Sequence, residues 1–165
     1  ARTINESVLS HLEVIEKSDI QFIWQTGKYY SASIQEQLKG KEIPNLKVLD
    51  FISDMGAAYR AADLVISRAG ASSISEFCLI GKPVILVPSP NVAEDHQTKN
   101  AMALVNKDAA VYVKDCEAPS LLIDKAISIA GDENKLNSLS ENIKKLGFKN
   151  SADVIADEVI KLARR

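Results

Sequence analysis

Residues 63–76, which read DLVISRAGASSISE, decide the fold prediction because they join three different local signals. We predict a strand at Leu64–Ser67, a tight turn at Gly70 and a helix that begins near Ser73. Glycine permits such a turn and lets a ligand approach the backbone closely. The first N–H groups of a helix have no partner within it and lie at its positive end, so this bend is predicted to bind an anion.

Short apolar runs of the same kind recur along the chain and alternate with helical patterns. The further predicted strands are Ile20–Trp24, Leu46–Phe51, Val84–Val87 and Ala110–Val113. The predicted helices are Ile4–Glu16, Ser31–Leu38, Met55–Ala61, Ser73–Ile80 and Glu94–Val105, and only helices follow Pro119. Continuous Val, Ile and Leu runs indicate strands covered on both faces. The alternation predicts an α/β fold, a doubly wound, Rossmann-like parallel sheet with flanking helices, in a single domain spanning residues 1–165.

The composition excludes several classes of protein and ligand. The chain has 165 residues, which suits one domain, and a formal net charge of -2 without a basic block, so no nucleic-acid partner is expected. No apolar run is long enough to cross a bilayer, and the first residues lack the pattern of a signal peptide. Cys78 and Cys116 lack the C-x-x-C spacing, which argues against a disulfide framework or zinc site and favours a reducing cytoplasm.

Glu76 allows two interpretations. In the structural one, Ser73 is the N-cap of the helix and Glu76, three residues later, completes a capping box. In the functional one, the carboxylate accepts hydrogen bonds from the two vicinal hydroxyls of a ribose, because an ionised carboxylate offers only acceptors. Arg68 is equally open, since it either neutralises a phosphate or pairs with an acid such as Asp63.

The loop after the predicted strand Val84–Val87 is the second candidate site. Gln97 and Asn100 are three residues apart on one helical face, where their amides either bind sugar hydroxyls or stay solvated. His96 is either a contact to phosphate or sugar or simply exposed. The two carboxylates that precede His96 are too few to predict a metal, and we expect neither a metal nor a cofactor.

The third candidate site is the turn at residues 50–55, DFISDM, which follows a predicted strand. Backbone groups around Ile52 are suited to pair with the edge of a base, and Met55 is suited to pack on its ring. Alternatively, this is an ordinary strand-to-helix turn in which Asp54 caps the following helix. The residues alone leave both interpretations open.

Taken together, these segments resemble the carboxyl-terminal domain of the MurG family of bacterial GT-B glycosyltransferases. The matching stretches are FISDM at 51–55, AADLVISRAGASSISE at 61–76, GKPVILVP at 81–88 and HQTKN at 96–100, together with ARTIN at 1–5 and WQTGK at 24–28. The resemblance covers essentially the whole chain and weakens after about residue 115. Members of this family transfer N-acetylglucosamine (GlcNAc) from UDP-GlcNAc onto undecaprenyl-linked lipid I, which gives lipid II for peptidoglycan synthesis, cell-wall biogenesis, cell shape and cell division.

The resemblance implies a role for each candidate residue. The backbone of Ile52 would hold uracil with Met55 nearby, and Glu76 would bind the ribose diol. The diphosphate and sugar would meet the helix start at Gly70, Ala71, Ser72 and Ser73. Gln97 and Asn100 would hold GlcNAc hydroxyls, and we count Arg68 and His96 as further donor contacts. His96 departs from the glutamine that is commoner in the family.

The resemblance also implies what lies outside this chain. In the family, the catalytic base, the lipid I acceptor site and the membrane-binding patch belong to an N-terminal domain, so we expect no catalytic residue among residues 1–165 and no transfer activity from them alone. The full-length protein would be an inverting transferase bound peripherally to the cytoplasmic face of the inner membrane. The helix at 149–165 carries an apolar stripe and is expected to contact the N-terminal domain.

Three alternatives to this function remain open. The chain is also compatible with another GT-B enzyme, such as a glycolipid glycosyltransferase or a UDP-GlcNAc epimerase. A non-catalytic UDP-sugar-binding subunit that pairs with a membrane-bound half is the second alternative. The third, a plain interaction domain, predicts no binding of UDP at all.

Overall fold

The computed structural model describes residues 1–164, and Arg165, the last residue of the predicted terminal segment, lies outside them. This part of the chain contains the five predicted strands, β1 (Phe22–Gln25), β2 (Leu46–Leu49), β3 (Val65–Ser67), β4 (Val84–Leu86) and β5 (Val111–Tyr112). The helices are α1 (Arg2–Ser10), α2 (Leu12–Glu16), α3 (Lys28–Leu38), α4 (Met55–Ala61), α5 (Ala71–Ile80), α6 (His96–Val105), α7 (Ala118–Ala130), α8 (Glu133–Lys144) and α9 (Ser151–Ala163). Short 3-10 turns at Ala93–Asp95 and Asp115–Glu117 precede α6 and α7.

All strand pairs in the described residues are parallel, and their hydrogen bonds form two sheets rather than one continuous ladder. β1 pairs with β2, from Phe22 opposite Leu46 to Gln25 opposite Leu49. In the second sheet, β4 lies between β3 and β5. Helices connect consecutive strands, which parallel pairing requires, so the predicted α/β fold with flanking helices is confirmed.

The central strand β4 explains why helices cover both faces of the second sheet. Its residues and the adjoining Val87 are completely buried. Val84 and Leu86 pack in a cluster with α5, α6 and α8, whereas Ile85 and Val87 pack in another cluster with α7 and α8. Successive strand residues point to opposite faces, so a strand between two helical layers requires a continuous apolar run.

Helix α1 connects the two sheets through polar contacts. Asn5 is buried, and it donates to the carbonyl of Thr26 (2.9 Å) and accepts from the indole N–H of Trp24 (3.0 Å), both near the end of β1. Thr3 donates to Asp115 (3.0 Å), which follows β5 in the other sheet. Because α1 also packs along α7, it holds the carboxyl ends of both sheets in place.

Four of the five helices predicted with bounds differ from the structure, and among them α3 begins at Lys28 instead of Ser31 and α5 at Ala71 instead of Ser73. The predicted helix Ile4–Glu16 is in fact two helices, because His11 has φ of -121° and ψ of 23° and interrupts the helical backbone. The predicted start of α6 at Glu94 is wrong by two residues. Glu94 and Asp95 both have φ of 52°, in the left-handed region, and the helix begins after them at His96.

The C-terminal helix α9 has no buried residue. Its exposed large apolar side chains are Val154, Ile155, Val159, Ile160 and Leu162. The described residues therefore leave the predicted apolar stripe uncovered, and its contact with another domain stays a prediction. None of the helices within residues 1–164 has the length and apolar character that crossing a bilayer requires.

The contacts of Asn5 predict that the Asn5→Ala variant is strongly destabilised. Truncation leaves the buried indole N–H of Trp24 and carbonyl of Thr26 without partners, at a cost of about 2–4 kcal/mol in the free energy of unfolding. Urea denaturation measures the loss. The control is Asn137→Ala on the exposed face of α8, where a change within about 0.5 kcal/mol is expected. Equal stability of the two variants would contradict the role of Asn5.

Candidate functional site

The carboxyl ends of β3 and β4 lie at one edge of the second sheet, and the loops that follow them are in contact. Ser67, the last residue of β3, pairs with Leu86 of β4, so both chains leave the sheet side by side. Arg68 then donates to the carbonyls of Val87 (3.0 Å) and Pro88 (3.2 Å) in the neighbouring loop. Ligands of open α/β sheets bind outside this edge, which makes it the candidate site.

Helix α5 begins at this edge, and no side chain caps its first turn. Its N-cap is Gly70, and Ser73 lies inside the first turn, so the predicted start near Ser73 and the capping box are both wrong. The amide of Ile74 donates to the carbonyl of Gly70 (3.0 Å) and is the first to enter the helical ladder. The N–H groups of Ala71, Ser72 and Ser73 precede it and are available to an anion.

Gly70 is not required by the backbone conformation of the turn. Its φ of -68° and ψ of 142° are extended values that any residue adopts, so the prediction of a glycine-dependent tight turn is wrong. A side chain at this position would meet only the hydroxyl oxygen of Ser73, 4.0 Å from the added Cβ. Close approach of a ligand to Gly70 stays a prediction, and the space that it needs is present.

The carboxylate of Glu76 contacts a tyrosine instead of capping the helix. Tyr59 in α4 donates its hydroxyl hydrogen to Oε2 of Glu76 (3.2 Å), and its ring packs edge-on against Phe77 with centroids 5.7 Å apart. Partial burial raises the pKa of Tyr59, and the neighbouring charge and hydrogen bond of Glu76 raise that pKa further. Glu76 itself remains exposed, so its carboxylate is accessible to a ligand.

The guanidinium of Arg68 pairs with an acid, but the acid is Asp115 and not the predicted Asp63. Both side chains of this pair are largely buried, and Thr3 hydrogen-bonds to both partners, 3.4 Å from the guanidinium and 3.0 Å from the carboxylate. With its two backbone carbonyl acceptors, Arg68 therefore links three segments of the chain. Contact of Arg68 with a phosphate stays a prediction.

Gln97 and Asn100 point their amides at the loop between β3 and α5. Oε1 of Gln97 accepts from the backbone N–H groups of Ala69 (3.3 Å) and Ser89 (2.9 Å). Nδ2 of Asn100 donates to the carbonyl of Ala69 (3.2 Å). These bonds leave Nε2 of Gln97 and Oδ1 of Asn100 for sugar hydroxyls, a role that stays a prediction.

His96 is exposed, and its Nδ1 lies 2.8 Å from the carbonyl of Ala93. This local contact at the start of α6 fits the interpretation that His96 is simply exposed, while contact with phosphate or sugar stays a prediction. Within residues 1–164, no group of three or more His, Cys, Asp or Glu residues is placed to hold a metal ion.

The turn after β2 agrees with the structural interpretation of residues 50–55, while binding of a base by Ile52 and Met55 stays a prediction. Asp54 caps α4 by accepting from the N–H of Ala57 (2.8 Å), which confirms the structural interpretation. Two residues earlier, the N–H of Ile52 donates to Oε1 of Gln25 (3.0 Å). A base that paired with this N–H would have to displace the amide of Gln25. Met55 begins α4, and this helix reaches the candidate site through Tyr59.

Comparisons with known proteins cover almost the whole chain. The model of the glycosyltransferase family 28 C-terminal domain matches residues 1–156. A protein of Bacteroides thetaiotaomicron named UDP-N-acetylglucosamine–N-acetylmuramyl-(pentapeptide) pyrophosphoryl-undecaprenol N-acetylglucosamine transferase is 64% identical over 99% of this chain, and the match spans 44% of that protein. A Porphyromonas gingivalis protein of the same name is 52% identical over 98% of this chain and 43% of its own length. The chain thus spans less than half the length of these relatives.

Two solved structures are also similar to this chain over most of its length. MurG of Acinetobacter baumannii superimposes with a TM-score of 0.80 at 25% identity, covering 98% of this chain and 48% of that one. The glycotransferase of kitacinnamycin matches with a TM-score of 0.67 at 22% identity, covering 92% of this chain and 38% of that one, which indicates a shared fold.

The contact between Tyr59 and Glu76 predicts a change in the pKa of the phenol. In the Glu76→Gln variant the carboxylate charge is gone, so ionisation of Tyr59 becomes easier and its pKa falls, while burial still holds it above the ordinary value. Titration followed by NMR of the tyrosine Cζ resonances measures this residue separately. A pKa of Tyr59 that is the same in both proteins would mean that the contact is not formed in solution.

Proposed function

The chain belongs to the family of glycosyltransferase family 28 C-terminal domains, and from this we propose that it is the donor-binding domain of an enzyme that adds GlcNAc to lipid I. One observation carries the proposal: the uncapped first turn of α5 presents free N–H groups at the sheet edge, with the exposed carboxylate of Glu76 on the same helix. The first is suited to a diphosphate and the second to a ribose diol. UDP-GlcNAc contains both groups.

We assign the diphosphate to the N–H groups of Ala71, Ser72 and Ser73. Backbone N–H groups at a helix start attract negative charge, and the exposure of Ala71 and Ser72 gives a ligand access to them. Gly70 lets the ligand approach, because it has no side chain and only the Ser73 hydroxyl lies within 4.0 Å of where a Cβ would be. Arg68 adds positive potential nearby, although Asp115 balances its charge.

The nucleoside is assigned to Glu76 and to the turn at residues 50–55. A carboxylate has several acceptor positions, so Glu76 can keep the hydrogen bond from Tyr59 while it accepts from the ribose. Uracil would take the backbone of Ile52 in place of Gln25 and lie near Met55. We assign the GlcNAc sugar to Gln97, Asn100 and His96. Nε2 of Gln97 and Oδ1 of Asn100 are not used by the loop contacts and can bind its hydroxyls.

The acceptor and the membrane contact are assigned to the part of the polypeptide that the relatives have and this chain does not cover. In this proposal that part binds lipid I, supplies the catalytic base and associates peripherally with the cytoplasmic face of the inner membrane. The chain itself supplies donor binding. The coverage of 44% of the Bacteroides thetaiotaomicron relative supports this division, because more than half of that protein lies outside the match.

Titration calorimetry with UDP, UDP-GlcNAc and UDP-glucose tests the donor assignment. We expect UDP to bind and UDP-GlcNAc to bind more tightly than UDP-glucose. The Glu76→Ala variant loses the acceptor of the ribose hydroxyls, so its affinity for UDP should fall by about 1.5–3 kcal/mol. The control variant Glu141→Ala removes an exposed carboxylate from α8 and should bind normally.

The outcomes of this titration separate the proposal from an interaction domain and from a transferase with another donor. A chain that binds no UDP is an interaction domain, and the proposal is then wrong. Preference for UDP-glucose over UDP-GlcNAc indicates another GT-B transferase. Unchanged UDP affinity in Glu76→Ala removes only this residue from the site.

We also propose that residues 149–165, which include α9, pack against the N-terminal part of the full-length protein. Ile155, Val159 and Leu162 are spaced at helical intervals on one exposed apolar face, which burial would stabilise. In the full-length protein, the double variant with Ile155→Ser and Val159→Ser should lose about 2–4 kcal/mol of unfolding free energy. In the isolated 165-residue chain the same changes should cost less than about 0.5 kcal/mol.

Asp157→Ser is the matched control for α9, because it changes an exposed polar side chain on the same helix. It should leave the stability of both the full-length protein and the isolated chain unchanged. Chemical denaturation of the wild type, the double variant and Asp157→Ser in both lengths of chain, six samples monitored by circular dichroism, gives the comparison. An equal effect of the double variant in both lengths of chain would show that α9 contacts nothing outside residues 1–165.

A further inference from the structure

The backbone of one buried residue, Ala69, is held at both ends by two side chains of α6. Its N–H donates to Oε1 of Gln97 and its carbonyl accepts from Nδ2 of Asn100. The side chain of Ala69 is completely buried in the cluster that contains Phe77 and Leu86. Three independent contacts therefore fix the residue that precedes Gly70 and the start of α5.

The hydrogen bonds also fix how each amide is oriented. Both partners of Gln97 are backbone N–H groups, of Ala69 and Ser89, so only its oxygen can serve them. The partner of Asn100 is a carbonyl, so only its nitrogen can serve it. Gln97 thereby ties the loop after β3 to the loop after β4, and both loops are attached to α6.

These contacts determine where the first N–H groups of α5 lie. Ala69 is two residues before Ala71, so a change in its peptide orientation moves the whole uncapped turn. Preorganised N–H groups bind an anion without a further cost of ordering the loop. A loop released from α6 has to be ordered again each time a ligand binds.

We propose that Gln97 and Asn100 are positioning residues that set the diphosphate-binding turn, in addition to any contact with the sugar. This inference rests on the proposed function, since it concerns the same site. A positioning role of Gln97 and Asn100 differs from a sugar-contact role in its effect on the binding of UDP. Loss of a sugar contact weakens only UDP-GlcNAc, whereas loss of positioning weakens UDP and UDP-GlcNAc equally.

The experiment compares the Gln97→Ala and Asn100→Ala variants with the wild type in the full-length protein. Calorimetry gives the Kd of UDP and UDP-GlcNAc, and NMR gives the Kd of uridine, which lacks the diphosphate. We expect the Kd of UDP to rise about 5- to 20-fold in each variant, and the Kd of UDP-GlcNAc to rise by at least the same factor, because any lost sugar contact adds to the effect. The Kd of uridine should stay unchanged, which excludes a general loss of fold.

Thr98→Ala is the matched control, because Thr98 lies between the two amides and its side chain makes no hydrogen bond among the described residues. Its affinities should equal those of the wild type. Amide hydrogen exchange supplies a test without any ligand. In Gln97→Ala the amides of Ala69 and Ser89 should exchange faster, whereas the amide of Val87, which donates to Ser67, should stay protected.

The possible results have distinct meanings. Normal UDP affinity with weakened UDP-GlcNAc binding overturns positioning and leaves Gln97 and Asn100 as sugar contacts only. Unchanged exchange of Ala69 in Gln97→Ala overturns it as well. A wild-type protein that fails to bind UDP overturns the proposed function, and this inference with it.

Discussion

Complete burial of β4 on both faces is the constraint from which the site follows. The helical crossovers that cover both faces of β4 also make its neighbours parallel, and the carboxyl ends of parallel strands meet at one edge. The loop after β3 and the loop after β4 are therefore forced together, and α5 starts between them. With no side chain to cap it, this start leaves N–H groups for a ligand at the sheet edge where α/β proteins bind one.

Two sets of polar contacts hold this edge in shape. Arg68, balanced by Asp115, bonds to the carbonyls of the β4 loop, while Gln97 accepts from N–H groups of both loops. Arg68 links the loop after β3 to the loop after β4 as a donor, and Gln97 links the same two loops from α6 as an acceptor. Buried or half-buried backbone groups thus find partners without using the N–H groups at the start of α5, which stay available.

Sequence alone was sufficient for features that depend on local patterns. The apolar run at Val84–Val87 predicted a strand covered on both faces, and the cap at Asp54 was one of the two interpretations that its place before α4 allowed. The S-x-x-E spacing at Ser73 and Glu76 matched a capping box, but the helix begins two residues earlier, at Ala71. Its position depends on packing of the buried Phe77 side chain in the core, which the spacing does not show. The contacts from Tyr59 to Glu76, Arg68 to Asp115 and Gln97 to Ala69 join residues that are 17, 47 and 28 positions apart. No local pattern encodes such pairs, because packing of the helices on the sheet creates them.

In the proposed function, the first turn of α5 binds the negative charge of a nucleotide diphosphate. Backbone amide NMR during addition of UDP observes those groups directly. We predict that the resonances of Ala71, Ser72 and Ser73 move most, and that uridine, without phosphates, leaves them in place. Saturating UDP that shifts other amides but not these three would show that the diphosphate binds elsewhere.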